Sequence, residues 1–399
     1  MYNLTAAQRE ALQTGLLRTR ITILNDQTAP VITGSDIVQG GLSIDRYCTS
    51  DDVIGLGTAI ASEMTLKLLN YDGRFNGISF AGKEMKVDVG KDDLWIPCGV
   101  YRVDDPPRML SQINISALDR MTLLDIPADV SSWTFPMSLQ TLVERGCLEC
   151  GVVLADDISG YINADLQVLY VAATASTTWR TVIQHAALLM GTCAYMDRNG
   201  DLAFGWYADT DYRITPSNRL IAAGCDINEN SITISGIEYT DLTETYTFGD
   251  GYMLKCGGSS IAFNANIDAV MAPVLAKIRG LTYRPFTAGV KAAWYMDPLD
   301  KVTWVSADDD EIQTLITHIN TKMNGSTMMK AVGDEAARSI YNTSGMTRET
   351  ENAINNADVQ VGGVNLVVLS NIRIVGTVAV NDGVLAANGK DVEIKTGGI

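Results

Sequence analysis

A chain of 399 residues exceeds what one hydrophobic core usually organises, so about two to four domains are expected. Hydrophobic residues at 46% and charged residues at 19% suit a chain that buries real cores. A net charge of −17 argues against a phosphate-gripping surface, which needs clustered Lys and Arg. No stretch reaches the ~18 apolar residues that span a bilayer, since Ala186 to Met196 is short and interrupted by Gly191 and Thr192. Met1-Tyr2-Asn3-Leu4 lacks a basic region followed by an apolar block, which sets the expectation of synthesis in a cytoplasm. The odd, scattered cysteines (Cys48, Cys98, Cys147, Cys150, Cys193, Cys225, Cys256) read as free, mostly buried thiols.

Thr5-Ala6-Ala7-Gln8 fits a capping box, and Leu4, Leu12 and Leu16 continue at helical spacing. Strands follow at Arg18 to Leu24, Pro30 to Gly34, Leu42 to Asp45, Met64 to Leu69, Met85 to Val89, Gly99 to Val103 and Ile113 to Ala117. Short strands at this spacing, with Gly, Asn and Asp between them, predict a β-barrel or sandwich.

Pro127 marks a change of character. Leu139, Leu142 and Val143 share a helical face that Gly146 is expected to stop. Residues Trp179 to Met190 form a second helix, capped by Thr178, with Val182, Ile183, Ala186, Leu189 and Met190 as its buried stripe. A hairpin follows, Cys193 to Met196 and Leu202 to Trp206, around Asp197-Arg198-Asn199-Gly200. Residues 128 to about 218 therefore read as a small α+β module.

Strand character returns at Ile232 to Tyr239, then as a pair within Thr245 to Lys255 around Gly249-Asp250-Gly251. A short helix is expected with Pro273 in its first turn and Gly280 as its stop. Val290 to Tyr295 and Val302 to Val305 are further strands, and the spacing of Ile312, Leu315 and Ile316 weakly favours a helix over Glu311 to Met323. After a polar linker around Arg348 to Asn356, Val364 to Val392 reads as a small β appendage without a core of its own, suited to docking on its mates or a spike.

Chemical motifs are sparse. His185 and His318 each lack a sequence partner, and no His-Glu-x-x-His is present. Cys147-Leu148-Glu149-Cys150 is a single C-x-x-C following a helix end, without the second pair of a zinc ribbon. No phosphate loop or Gly-x-Ser-x-Gly elbow occurs. Asp104-Asp105 and Asp156-Asp157 are neighbours in loops, where adjacent side chains point apart. Asp197 to Asp201 lacks the ligand spacing of an EF-hand. No catalytic, cofactor-binding or metal-binding residue is assigned, and no cofactor is expected.

The order of several short motifs carries more. Pro30-Val31-Ile32-Thr33-Gly34, Gly41-Leu42-Ser43-Ile44-Asp45 and Gly57-Thr58-Ala59-Ile60-Ala61-Ser62 come first. Phe80 to Val87, Ile96-Pro97-Cys98-Gly99-Val100-Tyr101-Arg102-Val103 and Ala117-Leu118-Asp119-Arg120-Met121 follow, then Thr178-Trp179-Arg180 and Tyr195 to Leu202. Trp294-Tyr295-Met296-Asp297-Pro298-Leu299-Asp300 closes the series. Over about residues 15 to 345 this succession resembles the tail-hub family of phages and prophages, which includes the baseplate hub of contractile tails and the hub region of tail-associated lysins. The family usually has Gly where Leu299 stands.

The resemblance implies a mainly β fold: two tail-tube-like β-barrel domains (1–127 with the N-terminal helix, and 225–342), an α+β insert (128–224), and a C-terminal linker and β appendage (343–399). It further implies a non-enzymatic virion protein of the tail tip or baseplate. Three copies would form a ring adapting the sixfold tail tube to a threefold spike or tip. Expected partners are the homotrimer mates, the tail tube protein, the spike or tip protein, other baseplate proteins and the tape-measure protein, with DNA at most passing through without specific binding. The acidic charge would suit a carboxylate-lined lumen, and Asp308-Asp309-Asp310-Glu311 is either part of that lumen or a solvated loop. The alternatives are a tail-associated cell-wall hydrolase, for which the roughly 55 residues after the hub region are too few, and a receptor-binding adhesin using Trp133, Trp179, Trp206 and Trp294.

Overall fold

The computed structural model describes residues 1–333, apart from 27, 50–53, 104–106, 108–110, 175, 221–223, 243 and 292, together with four short strands farther on. The chain divides into two units, Met1–Gly333 and Asp334–Ile399. In the second, Gln360–Val361 pairs with Val364–Asn365 and Leu385–Ala387 with Lys390–Val392, both antiparallel. The rest of the expected linker and appendage lies outside the described residues.

The first unit is mainly β. Its helices among the described residues are α1 (Ala6–Gln13), α2 (Leu139–Cys150), α3 (Trp179–Leu189) and α4 (Ile267–Ile278). An eleven-stranded sheet dominates it. One part runs, in spatial order, through Ile32–Thr33, Arg18–Ile23, Glu84–Lys91, Leu94–Val103, Gln112–Asp119, Glu63–Leu69 and Ile37–Tyr47. The sheet then continues through His318–Lys322, Ser326–Ala331, Phe286–Lys291 and Cys225–Ile227. The N-terminal and later β regions are thus hydrogen-bonded edge to edge, with Tyr47 opposite His318 and Ser43 opposite Lys322. No sheet among the described residues closes on itself.

The two-residue period of a strand explains which face is buried. Met64, Leu66 and Leu68 are fully buried while Thr65 and Lys67 are exposed; Ile113 and Ile115 face inward between exposed Gln112, Asn114 and Ser116. The inward face continues across the seam with Ile44, Ile319 and Met329.

The α+β module holds the expected hairpin, Cys193–Met196 with Leu202–Gly205, and α3 with its Thr178 cap. Helix α2 does not stop at Gly146. It runs to Cys150 and ends on Gly151, whose φ of 67° is the left-handed C-terminal turn glycine favours. Gly146 is instead a packing residue, since a Cβ there would lie 2.7 Å from the Trp179 ring of α3. Strand Gln167–Val171 pairs with Ile261–Phe263, so residues beyond 225 also pack on this module.

Other expectations need correcting. Pro273 lies inside α4, because Asn266 caps that helix well upstream. Glu311 to Met323 is two strands, Glu311–Leu315 and His318–Lys322, with buried Leu315 and Ile316 where the chain passes between sheets. The strand expected to reach Tyr295 ends at Lys291, and Ala293 to Met296 form a buried turn. Thr245–Gly249 and Tyr252–Cys256 do not pair with each other. They flank Ile232–Thr240, antiparallel and parallel respectively. The chain between them wraps closely over Ser235: a Cβ on Gly249, at φ 89°, would lie 2.4 Å from the Ser235 carbonyl oxygen.

Candidate functional site

Most of the motifs quoted for the resemblance converge on one junction around a cavity of about 460 Å³. Arg198 sits in the hairpin turn, where Asp197 accepts from the amides of Asn199 (2.8 Å) and Asp201 (2.9 Å) and fixes the loop. The turn aims Arg198 inward. Its Nε and Nη2 donate to the two carboxylate oxygens of Asp297 (3.0 and 2.8 Å), and Nη1 and Nη2 donate to the carbonyls of Pro97 (2.9 Å) and Met296 (3.1 Å). Arg46, from Ile37–Tyr47, donates through Nη1 to the same Asp297 oxygen that Nη2 of Arg198 reaches. One carboxylate therefore ties both β regions to the insert. Asp300 accepts from the Asp297 amide (2.8 Å) and the Met1 amine (2.5 Å). Burial acts against the charge of Asp297, but Arg198, Arg46 and the amine outweigh it and hold the group below the usual carboxylate range. Asp300 goes the other way, pushed up to about 6 by burial and by the charge of Asp297.

Leu299, where the family usually has Gly, adopts φ 74°. The turn thus keeps the left-handed backbone glycine favours, held by Leu299 N–H to Ile316 O (2.9 Å) and Ala208 N–H to Leu299 O (3.0 Å). Its side chain is buried, which offsets part of the strain. At the far wall, Asp119 accepts from the amides of Ser62 (2.8 Å) and Met121 (3.0 Å), and burial pushes it up to about 6.

Neither histidine is alone. His185 Nδ1 lies 2.9 Å from both the amide and the hydroxyl of Ser260, and burial lowers it to about 4. His318 Nε2 lies 2.5 Å from Asp45 across the seam, and its ring stacks on Tyr47 at 4.2 Å. Sequence could not show these contacts, because the partners are more than 70 residues away in each case. Cys147 and Cys150 lie in the last turn of α2 rather than after it, and both thiols are pushed up to about 12 by burial, away from a reactive or metal-binding thiolate. Among the described residues no cluster of three or more metal-ligating side chains occurs. Asp156 and Asp157 lie in an exposed turn, and Asp104-Asp105 falls outside the described residues. Trp179 and Trp294 are core residues, Trp133 packs on Trp179 with ring centroids 5.0 Å apart and planes tilted by 30°, and Trp206 packs on Tyr207.

Charge is unevenly placed. Asp308 to Asp310 lie in an exposed turn whose amides at Asp308 and Asp310 donate to Ser306 Oγ, and Glu311 opens the strand Glu311–Leu315; none of them is part of the long sheet. The register puts Arg18, Arg20, Lys67, Lys86, Arg102, Lys291, Lys322 and Lys330 on the outward face of the long sheet, against Asp45, Glu63, Glu84, Asp88 and Asp226. Four of these carboxylates are engaged by His318, Ser116, Arg120 and Arg20. This face is therefore richer in basic than acidic groups, although the chain carries −17.

Comparison with known proteins places this architecture. No protein-family model and no curated protein matches the sequence. Among solved structures, a tail protein from Neisseria meningitidis MC58 matches at TM-score 0.50 and 10% identity, over 81% of this chain and 98% of that one. Prophage tail protein gp18 from Listeria monocytogenes EGD-e matches at TM-score 0.50 and 12% identity, over 81% and 95%. The 43 kDa tail protein of prophage MuSo2 from Shewanella oneidensis is 14% identical at TM-score 0.46, over 80% and 98%. The chain has the fold of prophage tail proteins. The sequence resemblance to the tail-hub family is borne out at the level of fold.

Proposed function

We propose that this chain is a structural, non-enzymatic hub subunit of a phage-type tail tip or baseplate. The observation that carries the reading is the seam between Ile37–Tyr47 and His318–Lys322. It makes two β regions one continuous arc within a chain, fastened a second time through Asp297. Three such arcs arranged about an axis offer six β regions to a sixfold tube and three identical inserts and C-terminal segments to a threefold spike. On this reading each β region is a tube-like domain, the tube and spike or tip proteins sit at opposite ends of the ring, and other baseplate proteins and the tape measure contact it. DNA passes through without specific binding. Solution mass by light scattering tests it: three times 43.1 kDa is expected. A monomer at every concentration, with no ring on addition of the tube protein, would contradict it.

A further inference from the structure

The seam lays three lysines from distant parts of the chain along one band of the long sheet's outward face. Lys291 stands opposite Ser326, and Thr321 opposite Thr327, so Lys322 comes next beside Ser326. Lys322 in turn faces Ser43, Ser43 faces Thr65 and Thr65 faces Ser116; Lys67 and Asn114 are the next outward pair. The three lysines are exposed, as are Thr65, Asn114 and Ser116. From Phe286–Lys291 to Gln112–Asp119 the band spans about 24 Å, with its lysines about 10–12 Å apart. No carboxylate stands in it. The nearest on this face, Asp45 and Glu63, are one outward pair along and accept hydrogen bonds from His318, Tyr47 and Ser116. Acidic groups farther than about 10 Å are largely screened at 0.1 M salt.

We infer that this band is a contact surface for the sugar-phosphate backbone of duplex DNA. Lysine, serine, threonine and asparagine side chains are donors of the kind that meet phosphate oxygens, and they read no base sequence from there. The same composition is poor for a protein partner, whose contact core favours aromatic and Met side chains and excludes Lys and Ser. The acidic balance of the chain repels DNA elsewhere, which confines the contact to this band and keeps it weak. A single chain presents the band, so the binding is independent of ring formation and its failure leaves the hub reading untouched.

The test is fluorescence anisotropy of a labelled duplex of about 20 base pairs titrated with the full chain, from about 50 mM NaCl upward. Binding is expected to be indifferent to base sequence, with log K falling against log[NaCl] at a slope of roughly −2 to −3, as for about three phosphate contacts. Combined Lys67→Gln, Lys291→Gln and Lys322→Gln should weaken it at least about tenfold and flatten the slope by roughly 2 to 3. The same three positions changed to Arg keep the charge and should restore it. A charge-matched control, Arg213→Gln, Lys255→Gln and Arg279→Gln, removes exposed cations outside the long sheet and should leave binding within about twofold. No binding at the lowest salt, or equal losses in the two Gln variants, overturns the inference. So does displacement of the duplex by poly-L-glutamate at equal charge concentration, which would reassign the band to an acidic polypeptide.

Discussion

Replacing Arg198 by Ala removes every donor that crosses from the hairpin turn to the second β region at the junction. The side chain is 10% exposed and makes four hydrogen bonds, two to a carboxylate and two to carbonyls. Its loss leaves the Pro97 and Met296 carbonyls without this donor and Asp297 paired only with Arg46 and the more distant Met1 amine, at 3.7 Å. Breaking one side of a buried ion pair costs ~3–5 kcal/mol, because the remaining groups stay desolvated. Arg198→Lys should recover only part of that, since a point charge cannot span four acceptors. Urea unfolding followed by tryptophan fluorescence measures both variants, and a double-mutant cycle with Asp297→Asn isolates the pair. A loss below ~1 kcal/mol for Arg198→Ala would refute the claim that this junction fastens the unit, since it would equal a surface pair.

The depressed His185 makes folding acid-sensitive: its contribution is fully present above the unfolded value of 6.5 and is lost as pH falls toward about 4, by ~2–3 kcal/mol. Asp119 and Asp300, raised to about 6, act oppositely, their contribution being present at low pH and lost as pH rises through 6. Subtracting the pH–stability curve of His185→Gln from that of wild type isolates the histidine, and parallel curves would show that its burial has no effect. Gly146→Ala, despite better helix propensity, should destabilise by ~1–3 kcal/mol through overlap with Trp179; chemical unfolding that finds it neutral or stabilising would rule out the tight α2–α3 crossing. At Leu299 both truncations lose buried area, but Gly should be about 1 kcal/mol more stable than Ala because it fits the left-handed φ. Thermal melts showing Ala ahead would contradict that backbone geometry.

Much of the first unit was readable from residue patterns, because its strands alternate cleanly and its helices carry local caps at Thr5 and Thr178. The misreadings share a cause. Gly146 and Pro273 look like local punctuation but are set by tertiary packing and by a cap farther upstream. Glu311 to Met323 mixes two strands of different sheets, so neither period emerges. The seam and the Asp297 junction join residues roughly 100 to 270 positions apart, for which a single sequence carries no signal. One hint was present: an arginine in a tight hairpin turn and an aspartate before a proline, both within quoted motifs. The net charge of −17 does not show how charge is distributed, and basic residues predominate on the outward face of the long sheet.

The most direct test of the hub reading is immunogold labelling of tail particles from the strain that encodes this chain, using antibodies raised against the purified protein. Gold is expected at a single position, the tube end that carries the tip. Label distributed along the tube, or particles with intact tips that lack the chain, would contradict it.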